Sequence, residues 1–327
     1  MAATSIEKVD VHHHFVPDIY VKALEAAGGD PSGFPTPKWS ADATLELMGK
    51  TGSSTAILSL TSPGVPIAPP QEQAELARGA NEYAAKLRDG NARFGFFAAL
   101  PSLLDTKAAL EEMTYALDVL KADGVTLFTR YGEDNYYLGH KAFRPIWEEL
   151  NRRKAVVFIH PTSPRDTGLV NAYMPQPIID YPHETARTAF DMICNNTKRD
   201  FPDCKIILSH AGGTLPILLA RASNGIAMMS RGAKSAESIL EDARSFYFDL
   251  ALSSSSNVLD TLLRHFPHDH ILFGSDFPYA PAIAGEMFAK QLDEYELTEQ
   301  TRRQIYHENA RGLFPRLFGD NAKAESK

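Results

Sequence analysis

Eight short apolar, β-rich runs, each followed by a longer amphipathic stretch, most narrow the folds open to this chain. The runs fall at 8–12, 55–60, 93–100, 124–129, 155–160, 205–210, 245–250 and 270–275. Most are apolar without interruption, as in Ala155-Val156-Val157-Phe158-Ile159. A half-exposed strand would alternate polar and apolar residues, so continuous runs point to strands covered on both faces of a parallel sheet. Helical periodicity fills the intervals, at 71–88, 106–121, 143–153, 183–198, 214–229, 257–265, 283–292 and 298–307. Asp105 is placed to cap the second of these helices. Eight β/α alternations predict an α/β fold of the (β/α)8 TIM barrel kind. The 327 residues suit one barrel domain over 1–327, since such barrels use about 250 residues plus insertions. An open doubly wound sheet is the alternative, but neither GxGxxG nor GxxxxGK[ST] is present to support it.

Residues 15–41 and 160–182 break the alternation. The first is rich in Pro and Gly and the second in Pro, and they read as long first and fifth βα loops, the kind that build the active-site face of a barrel.

Composition excludes several partners. Hydrophobic residues make up 44% and charged residues 23%, enough for a large core. A net charge of −8 argues against nucleic acid or an anionic membrane, either of which needs clustered Lys and Arg. No apolar run approaches the roughly 20 residues of a membrane span. Residues 1–9 lack the apolar core of a signal peptide, and 322–327 read as a polar tail. The two cysteines, Cys194 and Cys204, have no metal-binding or disulfide spacing. A reducing, cytoplasmic setting is therefore expected.

Placed on the strands, five side chains converge on the barrel mouth. His12 and His14 lie at the C-terminal end of the first strand, His160 ends the fifth, His210 ends the sixth, and Asp276 follows the eighth. Residues two apart on an extended backbone share a side, so His12 and His14 point together and His13 points away, in a structural role. Three imidazoles and a carboxylate suit one divalent metal: zinc first, with manganese or iron tolerated. An isolated strand-end histidine is usually an ordinary, satisfied polar residue. Four strand ends of one barrel carrying such groups by accident is a far rarer event. His140, His265, His268, His270 and His307 fall in helices, turns or a strand start and read as surface or capping residues.

The motifs around these positions carry a resemblance. Val9-Asp10-Val11-His12-His13-His14-Phe15, Phe158-Ile159-His160-Pro161-Thr162, Leu208-Ser209-His210-Ala211-Gly212-Gly213 and Leu272-Phe273-Gly274-Ser275-Asp276-Phe277-Pro278 together resemble the amidohydrolase-related non-oxidative decarboxylases. That group includes the aminocarboxymuconate semialdehyde, γ-resorcylate and 6-methylsalicylate enzymes. Short singly, the motifs stand in family order across nearly the whole chain. The resemblance implies metal ligands His12, His14, His160 and Asp276 and a catalytic role for His210 beside the metal; for the chemistry itself Asp276 is a candidate proton donor to the ring carbon, with His210 sharing or relaying the proton or polarising the substrate hydroxyl. The resemblance also implies that Arg221, eleven residues after His210, reaches the substrate carboxylate in the neighbouring subunit of a homodimer. Relatives differ in carrying Glu or His at the first motif position; here it is His12. Binuclear relatives place a carbamylated lysine at the end of strand four. Here that strand ends Leu127-Phe128-Thr129-Arg130, so a one-metal site follows. The loop Thr129-Arg130-Tyr131-Gly132 and the context of His160 most resemble the 6-methylsalicylate branch.

The expected activity is release of CO2 from a small aromatic acid of the salicylate type, with no organic cofactor. Arg130 is a candidate for an anionic substrate group, or else a salt-bridge partner of Glu133 or Asp134. Phe277, with Phe15, Trp39 and Tyr279, is a candidate wall for a planar ring. A metal-dependent hydrolase, lactonase or hydratase is the rival reading, and an inactive barrel serving as a binding protein is a more distant one.

Overall fold

The computed structural model describes residues 7–318; the polar stretch 322–327 and the first residues of the 1–9 segment lie outside them. Eight parallel strands form one sheet in sequential order. They are β1 (Lys8–Phe15), β2 (Ser53–Leu60), β3 (Phe94–Ala98), β4 (Gly124–Phe128), β5 (Val156–His160), β6 (Lys205–Leu208), β7 (Tyr247–Asp249) and β8 (Ile271–Leu272). The sheet closes where β1 meets the segment after β8. Val11 N–H donates to the Phe273 carbonyl at 3.0 Å, and His14 N–H to the Phe277 carbonyl at 2.7 Å. Closure removes exposed sheet edges and makes the expected (β/α)8 barrel.

Among the described residues, ten helices of two turns or more connect or flank the eight barrel strands: α1 (Asp18–Ala26), α2 (Ala41–Thr51), α3 (Gln73–Gly90), α4 (Thr106–Thr114), α5 (Arg144–Arg152), α6 (Gln176–Cys194), α7 (Leu215–Met229), α8 (Ala236–Arg244), α9 (Ser256–His265) and α10 (Ala282–Glu294). The Asp105 side chain caps α4, accepting from Ala108 N–H at 3.0 Å.

The loop boundaries need correction. The 15–41 segment contains α1, a helix whose short apolar stripe buries only Tyr20 and Leu24; nine residues between Pro and Gly signals hide such a pattern. Helix α6 begins at Gln176 instead of 183, because Pro177 sits in its first turn, where a missing N–H costs nothing, and Pro182 is carried inside the helix. Helix α8 was hidden by its polar composition. Residues Arg130–Tyr131 and Tyr136–Tyr137 make a small antiparallel hairpin beyond β4.

The barrel interior is filled from opposite strands. Val9, Val11, Ile57, Phe97, Phe158 and Ile207 form one cluster, closed at the base by Leu313, Phe314 and Leu317. Larger clusters lie between strands and helices. No helix among the described residues is long and apolar enough to cross a membrane.

Candidate active site

Val9 and Val11 pack in the barrel interior, yet His12 and His14, of the opposite parity, also face inward. A register shift between Asp10 and His13 in the pairing of β1 with β2 accommodates the switch, as a bulge re-aims side chains near a site. The Asp10 carboxylate steadies it, accepting from His12 N–H at 3.2 Å and facing His13 Nδ1 at 2.9 Å. His13 turns outward to Thr44, 3.0 Å from its Nε2.

Beyond that shift the four residues expected to hold a metal come together. His12 Nε2 and His14 Nε2 are 3.1 Å apart. Asp276 Oδ1 lies 3.2 Å from the first and 3.0 Å from the second. The His160 ring centre is 5.2 Å from that of His12 and 4.9 Å from that of His14. One donor atom from each of the four residues falls within 4.8 Å of the others.

The far edge of each imidazole is anchored. His12 Nδ1 meets Asp249 Oδ2 at 3.0 Å. His14 Nδ1 meets Ser59 Oγ at 2.9 Å; that hydroxyl donates to the His13 carbonyl at 3.2 Å, so it accepts from His14. His160 Nδ1 meets the Pro161 carbonyl at 2.8 Å. Each acceptor takes an Nδ1–H, which assigns the proton away from Nε2 and leaves the Nε2 lone pairs converging.

At 3.1 Å two imidazole nitrogens need a proton or a cation between them. Burial opposes protonation of His12, but the Asp249 and Asp276 carboxylates outweigh it and raise its pKa to about 10. Burial lowers His14 and holds His160 well below the usual imidazole range. Burial alone would raise the Asp276 carboxyl; the His12 and His14 contacts overcome this and hold it well below the usual carboxylate range. A buried anion and three neutral-capable imidazoles around one point fit a divalent cation. Zinc–nitrogen bonds of about 2.0–2.1 Å put neighbouring donors of a tetrahedral site about 3.3 Å apart, close to the separations here.

His210 sits beside this set, its ring centre 4.8 Å from that of His12. Its Nδ1 faces the Ala251 carbonyl at 3.0 Å and its backbone N–H donates to Asp249 Oδ1 at 3.2 Å. His210, Ala211 and Asp276 all have positive φ, at 54°, 57° and 63°. Such backbone persists in residues other than glycine only where the surroundings over-determine it. The two glycines after Ala211 are required by crowding as well. A Cβ on Gly213 would stand 1.9 Å from the Pro182 carbonyl oxygen, and one on Gly212 would stand 2.8 Å from the Phe248 ring.

His160, His210 and Asp276 open onto a cavity of about 350 Å3, walled by Phe34, Tyr181, Tyr279 and Phe288, with Asp30 and Ser62 as polar edges. The Tyr279 hydroxyl is buried and has no hydrogen-bond partner among the described residues.

Three residues named for substrate binding lie outside this cavity. The Phe277 ring packs on His13 at 5.3 Å, because Asp276 turns the chain. Arg130 folds into its own hairpin, donating to the carbonyls of Gly132, Asp134 and Ser163 at 2.6, 3.0 and 3.3 Å, and not to the carboxylates of Glu133 or Asp134. Arg221 is exposed on α7, in a surface groove with Phe190, Leu218 and Met229. Phe15 and Trp39 pack together away from the cavity, while Tyr279 lines it. Sequence reasoning missed Asp249, Asp30 and Tyr181. Asp249 left one trace, a lone carboxylate at the end of an apolar strand.

Residues 9–316 match the family described as Amidohydrolase. The chain is 51% identical to a 6-methylsalicylic acid decarboxylase of Penicillium expansum, across 97% of this chain and 99% of that one. An amidohydrolase II crystal structure superposes with a TM-score of 0.87 at 29% identity, covering 94% of this chain and 100% of that one. A 2,6-dihydroxybenzoate decarboxylase complexed with 2,6-dihydroxybenzoate gives 0.77 at 25% identity, covering 94% and 99%.

Proposed function

This chain belongs to the amidohydrolase family, and on that premise we propose that it is a metal-dependent, non-oxidative decarboxylase of a small ortho-hydroxybenzoate, with 6-methylsalicylate the first candidate. The observation that carries this reading is a three-imidazole, one-carboxylate cluster sharing a cavity wall with a fourth, separately anchored imidazole, His210. The 51% identity to a named decarboxylase along nearly the whole chain favours it over a lactonase or hydratase, which would use similar ligands.

His12, His14, His160 and Asp276 would hold the cation, zinc ahead of manganese for this donor set. When bound, it supplies Lewis acidity to the substrate's carboxylate and ortho hydroxyl. Phe34, Tyr181 and Tyr279 offer flat and edge contacts to a planar ring. The bond to be broken joins the ring to the carboxylate; its electron pair must end on the ring carbon, which takes a proton as neutral CO2 leaves. Asp276 would have its carboxylate committed to the cation, which makes it a poor source for that proton. His210 is the better carrier. Its Nδ1–H stays on the Ala251 carbonyl while Nε2 gives up its proton to the ring carbon and regains one from solvent. No organic cofactor enters this scheme.

Arg221 would act in a homodimer. Its helix exposes Ile217, Leu218, Met228 and Met229, the last at 84%, an apolar face of the sort subunit contacts cover. The expected compartment is the cytoplasm, in keeping with the free thiols of Cys194 and Cys204.

The test is turnover in D2O. One deuterium at the vacated ring carbon supports protonation there. A product formed by water addition or hydrolysis, with no loss of the carboxylate carbon, contradicts it.

A further inference from the structure

We infer that Asp249 is a positioning residue that ties the ligand His12 to the proton carrier His210, an inference resting on the roles given to those two residues above. Asp249 is fully buried at the end of β7, and among the described residues its one ion-pair partner is His12. Its two oxygens divide the work. Oδ2 takes the Nδ1–H of His12 at 3.0 Å. Oδ1 takes the backbone N–H of His210 at 3.2 Å and of Ala251 at 2.9 Å. The Ala251 carbonyl then accepts from His210 Nδ1 at 3.0 Å. One carboxylate thus fixes the His12 tautomer, the left-handed turn at His210 and the peptide that anchors the His210 ring.

An amide cannot replace it. Asparagine has an acceptor on one side only, so its NH2 would face either the His12 Nδ1–H or the two backbone N–H groups, donor against donor. Left unmatched in a buried site, either face disturbs both histidines, because they share the group between them.

A merely structural carboxylate would affect folding alone. Glu112 gives the comparison: it too is buried, and it is held by Asn81 at 2.8 Å and Arg78 at 2.9 Å among α3 and α4, away from the cavity.

The experiment measures the zinc dissociation constant, by competition with a chromogenic chelator, and kcat at saturating zinc. It is run on wild type, Asp249→Asn, His210→Asn, the double variant and Glu112→Gln, with Tm recorded for each. In Asp249→Asn, zinc affinity is expected to fall about 10–100-fold, and kcat at saturating zinc at least about tenfold. The double variant should lose no more kcat than His210→Asn alone, the mark of residues acting as one unit. Glu112→Gln should lower Tm and leave both other readouts at wild-type values. Wild-type zinc affinity in Asp249→Asn, full kcat once zinc saturates, or additive losses in the double variant would each overturn the inference. Should Asp249→Asn fail to fold, the 15N-histidine spectrum of wild-type zinc enzyme decides: His12 carrying its proton on Nδ1 supports the tie, and an unprotonated Nδ1 overturns it.

Discussion

His14 Nε2 lies 3.0 Å from Asp276 Oδ1, although 262 positions separate the two residues in the chain. The distance exists because the sheet closes on itself: His12 accepts, through its backbone carbonyl, the N–H of Asp276 at 2.8 Å. The geometry of the candidate ligands and barrel closure are therefore one structural event.

It follows that Asp276→Asn and His12→Ala should each lose metal and activity together. Metal per chain by atomic emission, measured beside turnover, checks this. Stoichiometric metal in both variants would refute the ligand assignment.

His210 lies outside the cluster of His12, His14, His160 and Asp276 proposed to hold the metal, so His210→Asn should keep its metal. Its kcat should drop about 10²- to 10⁴-fold, the usual worth of a positioned acid. Near-normal kcat would remove His210 from the chemistry.

Arg221 is exposed and lines no part of the 350 Å3 cavity. If it serves the neighbouring site, Arg221→Ala should raise KM with a lesser effect on kcat. Mixed dimers of Arg221→Ala and His210→Asn protomers should recover part of wild-type activity. Verified heterodimers with no recovery would place each site wholly within one chain.

Acid stability should respond to Glu149, far from the site. Arg152 and Arg153 hydrogen bonds, over the opposing effect of burial, pull its carboxyl down to about 2, at distances of 2.6 to 2.8 Å. The folded-state pKa is depressed, so this group stabilises the fold fully above the unfolded value of about 4.3 and loses that contribution as pH falls toward 2. Glu149→Gln should cost on the order of 1 kcal/mol at pH 7. In urea titrations its difference from wild type should shrink by pH 3; a difference independent of pH would contradict the assignment.

Much of this is legible in the sequence alone. Short apolar runs, most of them continuous, mark the barrel strands, and the strand-end positions of His12, His14, His160, His210 and Asp276 locate the mouth. Two kinds of information are not. One is local: a shift of register between Asp10 and His13 reverses which side of β1 faces inward, and no periodicity announces it. The other is relational. Asp249 matters because closure brings it to a histidine 237 positions away, and Phe277 misses the cavity because Asp276 turns the backbone at φ 63°. Neither depends on residue type, so composition and spacing could not reveal them.

The most direct test of the central claim is CO2 release from 6-methylsalicylate by protein whose metal content is measured on the same preparation. The account predicts CO2 and 3-methylphenol in equal amounts, at a rate proportional to bound metal up to one ion per chain. One metal per chain with no CO2 from this or any other ortho-hydroxybenzoate would contradict it.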